Sequence, residues 1–376
     1  MIWRLIWPVL LTILIPLGVA YFVYPGHLPP GFGIFPPEQV PGTPGFSWIY
    51  FAILSIGALG VTAFLLFPSW FGFGPGSTTN GYTPGGFPWW FYLGVVLCLF
   101  FWWLMWSRSF VFGNLIYWAF TPMWWGFILV LDGLVYSRTG GKSLIATRTS
   151  LMVISALFSI FGWGYFEYFD YFVLSNWYYP NGHMPQLPHS LIVFMFVIAY
   201  TTVWPALFEW YTLFNTFDFM VRRWEDGPTL HLNGTLLMIM GAVVIALFAA
   251  WPYLFFWGIW IGPMAIITGQ LIRLNVWTPY LELRTGNWSP AVLIALASLA
   301  NGVLWELWNY GSANPNPIPQ TNPNFWIYDV PYVNILHFFS EMPLLGYFGY
   351  LPFGLLVWVM YIWAGKIFGF RTDLNL

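Results

Sequence analysis

The sequence predicts an all-α transmembrane protein of about ten helices, two at the N-terminus followed by two parallel four-helix repeats. Three observations predict it. First, the 376 residues include only 11 Lys+Arg and 13 Asp+Glu, about 6% of the chain, against about 25% in a typical soluble domain. Second, 59% of the residues are hydrophobic and 23% aromatic, with a mean hydropathy of +0.69, too little polar surface to cover a soluble fold of this size. Third, the apolar residues fall in runs near the roughly 20 residues that a helix needs to cross the hydrocarbon core. These runs are apolar all round, unlike the short alternating segments of a β-barrel.

In chain order the runs are 5–23, 47–68, 89–106, 111–136, 149–174, 189–213, 235–255, 257–279, 290–309 and 335–364. Arg4 followed by an apolar stretch without a small-residue cleavage site predicts a retained first helix rather than a signal peptide. The eighth run carries Pro263 near its start, and the last carries Pro343 and Pro352 and is expected to kink or tilt. With the N-terminus inside, Arg4, Arg138, Lys142, Arg148, Arg222, Arg223, Arg284, Lys366 and Arg371 all fall on cytoplasmic segments, Arg108 falls outside and Arg273 within a span. That bias predicts a multi-pass protein of the cell inner (cytoplasmic) membrane with both termini cytoplasmic. The external connections 24–46, 175–188 and 310–334 are polar but nearly uncharged, or rich in Pro, Gly and Asn.

The same composition excludes a cytosolic enzyme, a disulfide scaffold and a nucleic-acid binder, which needs a basic patch. The single cysteine, Cys98, lies inside an apolar run.

Spans 3–6 and 7–10 read as two copies. Phe161–Tyr171 (FGWGYFEYFDY) resembles Ala300–Tyr310 (ANGVLWELWNY), matching Glu167 with Glu306 and Asp170 with Asn309. Trp177-Tyr178-Tyr179 echoes Trp326-Ile327-Tyr328, Arg138-Thr139-Gly140 echoes Arg284-Thr285-Gly286, Pro122-Met123 echoes Pro263-Met264, and His189 echoes His337. The common order of these matches gives three segments: two N-terminal helices in 1–88, a first repeat in 89–220 and a second in 230–376. An even number of spans per copy makes the copies parallel, related by an axis along the membrane normal.

Ionisable residues within spans need partners or a task. Asp132 and Arg273 each lie ten residues after a matched proline, and an ion pair locking the two halves is the simplest arrangement for both. Glu209, near the inner end of the sixth span, has no counterpart and is expected to reach the headgroups. The remaining charges gather towards the outer face. Glu167 and Asp170 are i,i+3, Glu306 and Asn309 repeat that spacing, and His337 and Glu341 are i,i+4, each pair on one helix face. Three readings fit a cleft holding Glu167, Glu306, His337 and Glu341: acid–base chemistry by a desolvated carboxyl, a mixed carboxylate–imidazole metal site, and interfacial groups that cap helix ends. No cofactor is identifiable from motifs. A metal ion, or a bound lipid or pigment, is what such a cleft would accommodate, and haem is disfavoured because only His189 and His337 could face each other.

The segments WELWNY, FWIYDVPYV and SEMPLLGYFGYLPFG, together with FTPMWWGFILVLDGL at 120–134, resemble an uncharacterised group of bacterial polytopic membrane proteins over most of spans 3–10. A fainter likeness is to the membrane-embedded lycopene cyclase domain. Glu306, Trp326/Tyr328 and Glu341 resemble its glutamate-bearing helix, its Trp-x-Tyr loop and its Pro-Glu-Glu helix. Here the last motif reads Glu341-Met342-Pro343, without an adjacent acid pair. The resemblance implies redox-neutral proton addition to an isoprenoid.

Two function classes follow. One is a membrane enzyme acting on a lipid or isoprenoid in an outer-leaflet pocket, with Glu306 and Glu341 as the acid–base pair and Glu167 and His337 in support. The other is a transporter, or a non-catalytic subunit of a membrane complex, whose carboxylates bind a proton, cation or partner. Membrane lipid is the expected partner in either class.

Overall fold

The structure, a computed structural model, describes residues 2–313 and 319–376. Helices α1 (Ile2–Val23) and α2 (Trp48–Leu66) come first, followed by α3 (Trp89–Ser107) and α4 (Phe120–Thr139). The single turn α5 (Leu144–Thr147) leads into α6 (Thr149–Phe172), then α7 (His189–Tyr200), α8 (Val203–Asn215) and the short polar α9 (Asp218–Glu225). Next are α10 (Gly234–Ala250), the turn α11 (Pro252–Phe255), α12 (Gly258–Arg273), the turn α13 (Pro279–Glu282), α14 (Ser289–Gly311) and α15 (Tyr350–Phe368). Among the described residues the only strands are β1 (Trp177–Tyr178) and β2 (Ile327–Tyr328).

Among the described residues, seven helical segments are long and apolar enough to cross a membrane, and eight when the bent pair Phe110–Trp118 and α4 counts as one. The chain is therefore of the all-α membrane class. Helices α10 and α12, at 17 and 16 residues, rise only about 25 Å at 1.5 Å per residue, short of the roughly 30 Å hydrocarbon core.

Four of the expected spans are cut by proline or glycine. The run 189–213 breaks at Thr201–Thr202, because Pro205 in the first turn of α8 offers no N–H to continue the ladder from α7. The run 111–136 becomes a 3-10 segment, Phe110–Trp118, bent 70° from α4, with Gly113 at φ 56°, ψ −136°, a conformation open to glycine alone. Helix α10 stops before Pro252. The last span starts late. Residues 335–343 are irregular, Leu344–Gly349 is a 3-10 turn, and α15 begins only at Tyr350. Pro343 holds an extended backbone (φ −67°, ψ 152°) and disfavours helix in the residue before it. Pro352 falls in the first turn of α15, where its missing N–H costs nothing.

Two helix pairs meet at glycine. A Cβ on Gly94 of α3 would lie 2.6 Å from the carbonyl oxygen of Gly126 on α4, and one on Gly241 of α10 would lie 2.6 Å from that of Gly262 on α12. Backbones this close leave no room for a side chain, the small-residue mode of packing in lipid. By contrast, α2 has no buried residue along its whole length.

Candidate functional site

The centre of the site is a two-residue antiparallel ladder in which Trp177 pairs with Tyr328 and Tyr178 with Ile327. Each strand is fixed by the helix before it. Asp170 Oδ1 accepts from the Trp177 backbone N–H at 3.4 Å, and Asn309 Oδ1 accepts from that of Trp326 at 3.0 Å. The amide of Asn309 adds a bond that Asp170 cannot make, donating to the Trp326 carbonyl at 2.8 Å. The i,i+3 spacing of Glu167/Asp170 and of Glu306/Asn309 thus separates two jobs. The second residue holds the loop, and the glutamate one turn earlier faces what the loop delivers.

Glu167 and Glu306 are both buried. Oε1 of Glu167 accepts from Tyr179 Oη at 2.5 Å, Trp163 Nε1 at 2.7 Å and Tyr200 Oη at 3.0 Å, and its Oε2 accepts from Trp177 Nε1 at 3.3 Å. Oε1 of Glu306 accepts from Tyr350 Oη at 2.6 Å and Tyr328 Oη at 2.9 Å, while its Oε2 is buried with no hydrogen-bond partner. Each glutamate therefore sits behind two phenols, one from the loop and one from the first or last turn of the next helix. The loop phenols Tyr179 and Tyr328 are pushed well above their ordinary range, first by burial and then by the adjacent glutamate charge. They stay protonated and act as donors.

These four tyrosines line one cavity of about 490 Å³. Its other walls are aromatic and aliphatic, with Trp163, Trp260, Trp305 and Phe353 on the bundle side, and Leu54, Gly57, Ala58 and Val61 of α2 closing the far side. The α2 residues recur at i, i+3, i+4 and i+7, one helix face, with Gly57 and Ala58 leaving room. Polar groups on the wall are few, chiefly the phenols with Asn176, Asn324 and Thr202. An apolar chamber with a small number of placed polar groups suits an apolar molecule.

Other expected site residues fall elsewhere. His337 and Glu341 are not on one helix face, since both lie in the irregular stretch before α15. His337 is exposed and Glu341 half-buried. The Glu341 carboxyl makes no hydrogen bond to Glu306, and reaches it only through its charge. Burial pushes the Glu341 carboxyl up, and the charge of His337 pulls it part of the way back. The metal reading is not met, because among the described residues no three His, Cys, Asp or Glu side chains converge in a metal-holding group. Glu167 and Glu306 are each taken up by their own phenols instead.

The expected Asp132–Arg273 ion pair does not form. Asp132 is buried and accepts from Trp90 Nε1, Ser143 Oγ and the Ile145 backbone N–H, each at 2.8 Å. Arg273 is the exposed last residue of α12 and reaches the Met238 sulfur at 3.7 Å. His189 does open a helix, α7, but it is exposed and stacks on His183 at 5.3 Å between ring centroids.

Sequence reasoning missed Tyr200 and Tyr350. Their signal is a tyrosine 21 or 22 residues after the last residue of each Trp-x-Tyr loop, hidden because the chain between glutamate and loop is longer in the second half. Searches for related proteins find no matching protein family, curated protein or solved structure.

Proposed function

We propose that this chain is an inner-membrane protein of ten membrane-embedded helices, two plus two parallel repeats of four, with both termini cytoplasmic. In this reading it takes a lipid or isoprenoid into the aromatic cavity and performs acid–base chemistry on it. The observation that carries the reading is the repeated unit itself: a buried glutamate bonded to two phenols that line one apolar chamber. A carboxyl in a dry site is a usable proton donor, and Glu306 is the stronger candidate because its Oε2 has no partner. Tyr328 and Tyr350 are the path between that carboxyl and the cavity. Glu167, with every oxygen engaged, holds the first half in the matching geometry. Glu341 and His337 adjust the local charge and are not the acid–base partners of Glu306.

The glycine contacts support the duplication independently of the motifs, since α3 meets α4 as α10 meets α12. A transporter reading has one observation in its favour. The break between α7 and α8 lies beside Tyr200 and Thr202 on the cavity wall, and interrupted helices are where transporters bind their substrates.

The test is native mass spectrometry of the protein released from nanodiscs, with lipid extraction of the same sample. A co-purifying apolar lipid, retained by wild type and chemically altered on incubation with wild type but not with Glu306→Gln, supports the enzyme. Retention without alteration favours carriage, and an empty cavity in both proteins overturns the reading.

A further inference from the structure

A second carboxyl pair lies outside the cavity. Glu209 of α8 does not reach towards headgroups as its position in the sequence suggests, because it is fully buried and faces Asp132 of α4, itself fully buried. The two acids differ in their surroundings. Asp132 takes three hydrogen bonds at 2.8 Å, from Trp90 of α3, from Ser143, and from the backbone N–H of Ile145 in α5. Those donors satisfy a carboxylate. Glu209 receives only the Thr212 hydroxyl, at 3.3 Å on Oε2, and its Oε1 is buried with no partner. The carboxyl groups of the two acids lie within hydrogen-bonding reach of each other.

No cation answers either charge. Among the described residues neither acid is in an ion pair. Arg138, further along α4, bonds to Thr216 at 2.7 Å and stacks 3.8 Å over the Phe217 ring. Arg148 pairs with Asp373 at 3.5 Å. The groups turned towards the pair are Trp90 from α3, Ser143 and Ile145 from the loop and α5, and Thr212 from α8, and none of them titrates near neutrality. Two facing carboxylates buried without a cation repel strongly, and the remedy is one proton between them.

We propose that Asp132 and Glu209 form a proton-binding site that carries one proton at neutral pH, held on Glu209 and donated to Asp132. The donor set decides which acid is charged. Three donors stabilise the anion on Asp132, whereas the empty Oε1 of Glu209 is where a hydroxyl would complete the pair. Ser143, on the turn between Arg138 and Arg148, is buried and donates to the charged member of the pair. This site is independent of the lipid reading, since neither acid lines the cavity.

Infrared difference spectroscopy of the whole protein in lipid tests the assignment. Subtracting the Glu209→Gln spectrum from wild type at neutral pH should leave the carbonyl stretch of one protonated carboxylic acid, shifted in heavy water. In Asp132→Asn that band should persist at a changed frequency, because its acceptor becomes an amide. Asp132→Asn also keeps the test open where Glu209→Gln gives no folded protein. A wild-type-minus-Glu209→Gln spectrum showing only carboxylate bands overturns the proposal. So does a protonated band that disappears with Asp132→Asn and survives Glu209→Gln, which would put the proton on the other acid.

Discussion

Tyr178 pairs directly with Ile327, and each is the middle residue of its Trp-x-Tyr loop. The flanking pair, Trp177 with Tyr328, joins the first residue of one loop to the last of the other. A ladder with that register is what a local two-fold axis between equivalent segments requires. In the proposed duplication that axis passes between the two residues whose neighbours supply phenols to Glu167 and Glu306.

That register predicts a crosslink. Directly opposed residues of an antiparallel pair have Cα atoms about 4.5–5.5 Å apart, within disulfide reach. Tyr178→Cys with Ile327→Cys should oxidise to an intramolecular bond that shifts electrophoretic mobility, and Tyr178→Cys with Asn334→Cys should not. Cys98 is buried and should not interfere. Failure to crosslink would count against the ladder.

The phenols should matter through Glu306. Tyr350→Phe removes one of the two donors to Oε1, and leaving a buried carboxyl short of a donor costs about 1–3 kcal/mol. Thermal unfolding in detergent should show that loss. In the double variant with Glu306→Gln the cost should be clearly less than the sum of the singles, since the residues share one network. Strict additivity would mean that the bond contributes nothing.

Glycines should divide by what surrounds them. Gly94→Val forces a Cβ to 2.6 Å from the Gly126 carbonyl oxygen, and overpacking of this kind costs about 1–3 kcal/mol. Gly57, on the cavity face of α2, has nothing within 4 Å of a built Cβ. Gly57→Leu should therefore leave stability unchanged while lowering lipid retention, read by unfolding and by mass spectrometry on the same preparation.

Acid should loosen the segment after α2. Burial pushes the Glu225 carboxyl up, but hydrogen bonds from Thr78 and Ser77 and the charge of Arg222 outweigh it and hold the group below its usual range. The folded value is thus lower than the unfolded one. The stabilisation is complete above the unfolded value of about 4.3 and is lost as pH falls through the folded value. Limited proteolysis around Ser77 should speed up over that acid window in wild type and be flat with pH in Glu225→Gln.

Topology has a direct test. Thr285 and Asn334 are exposed and lie on connections that the Lys/Arg distribution assigns to opposite sides. Single cysteines there should label from opposite faces of sealed vesicles, and same-side labelling would end the ten-helix arrangement. The connection 310–334, which that distribution assigns to the outside, includes residues 314–318, which lie outside the described residues.

Hydropathy made the helical segments legible, because lipid imposes one requirement on every spanning stretch whatever its neighbours do. It could not place the breaks at Thr201 or before Tyr350, which depend on one proline apiece within an unbroken apolar run. The glutamates and Trp-x-Tyr loops were readable because they are local in sequence. Tyr200 and Tyr350 were not, since their role comes from tertiary proximity. The Asp132–Arg273 pairing failed through register. In the proposed duplication, matching Pro122 with Pro263 offsets the halves by 141 residues (263 − 122), whereas the backbone contacts match Gly126 with Gly262, an offset of 136 (262 − 126). Five residues are about 140° around a helix, enough to turn a side chain to another face. On the contact register Asp132 corresponds to Thr268, which carries no charge.

Helix α2 is hydrogen-bonded to the rest of the protein near its two ends and packs against the Leu344–Gly349 turn. Near the start, the Ser47 N–H donates to the Tyr332 carbonyl at 3.0 Å and Tyr50 Oη to the Leu254 carbonyl. Near the finish, Arg223 holds the Leu66 carbonyl at 2.6 Å and Phe64 lies 5.0 Å from the Trp224 ring. Its outer residues, Ile53, Ile56 and Leu59, are exposed to whatever surrounds the protein. A beam clamped at both ends and loaded along its length bends in the middle, where Gly57 and Ala58 face the chamber. The tension and chain length of the surrounding bilayer then become mechanical inputs to the chamber's width. Occupancy measured in a detergent micelle and in a thick membrane should differ for that reason alone.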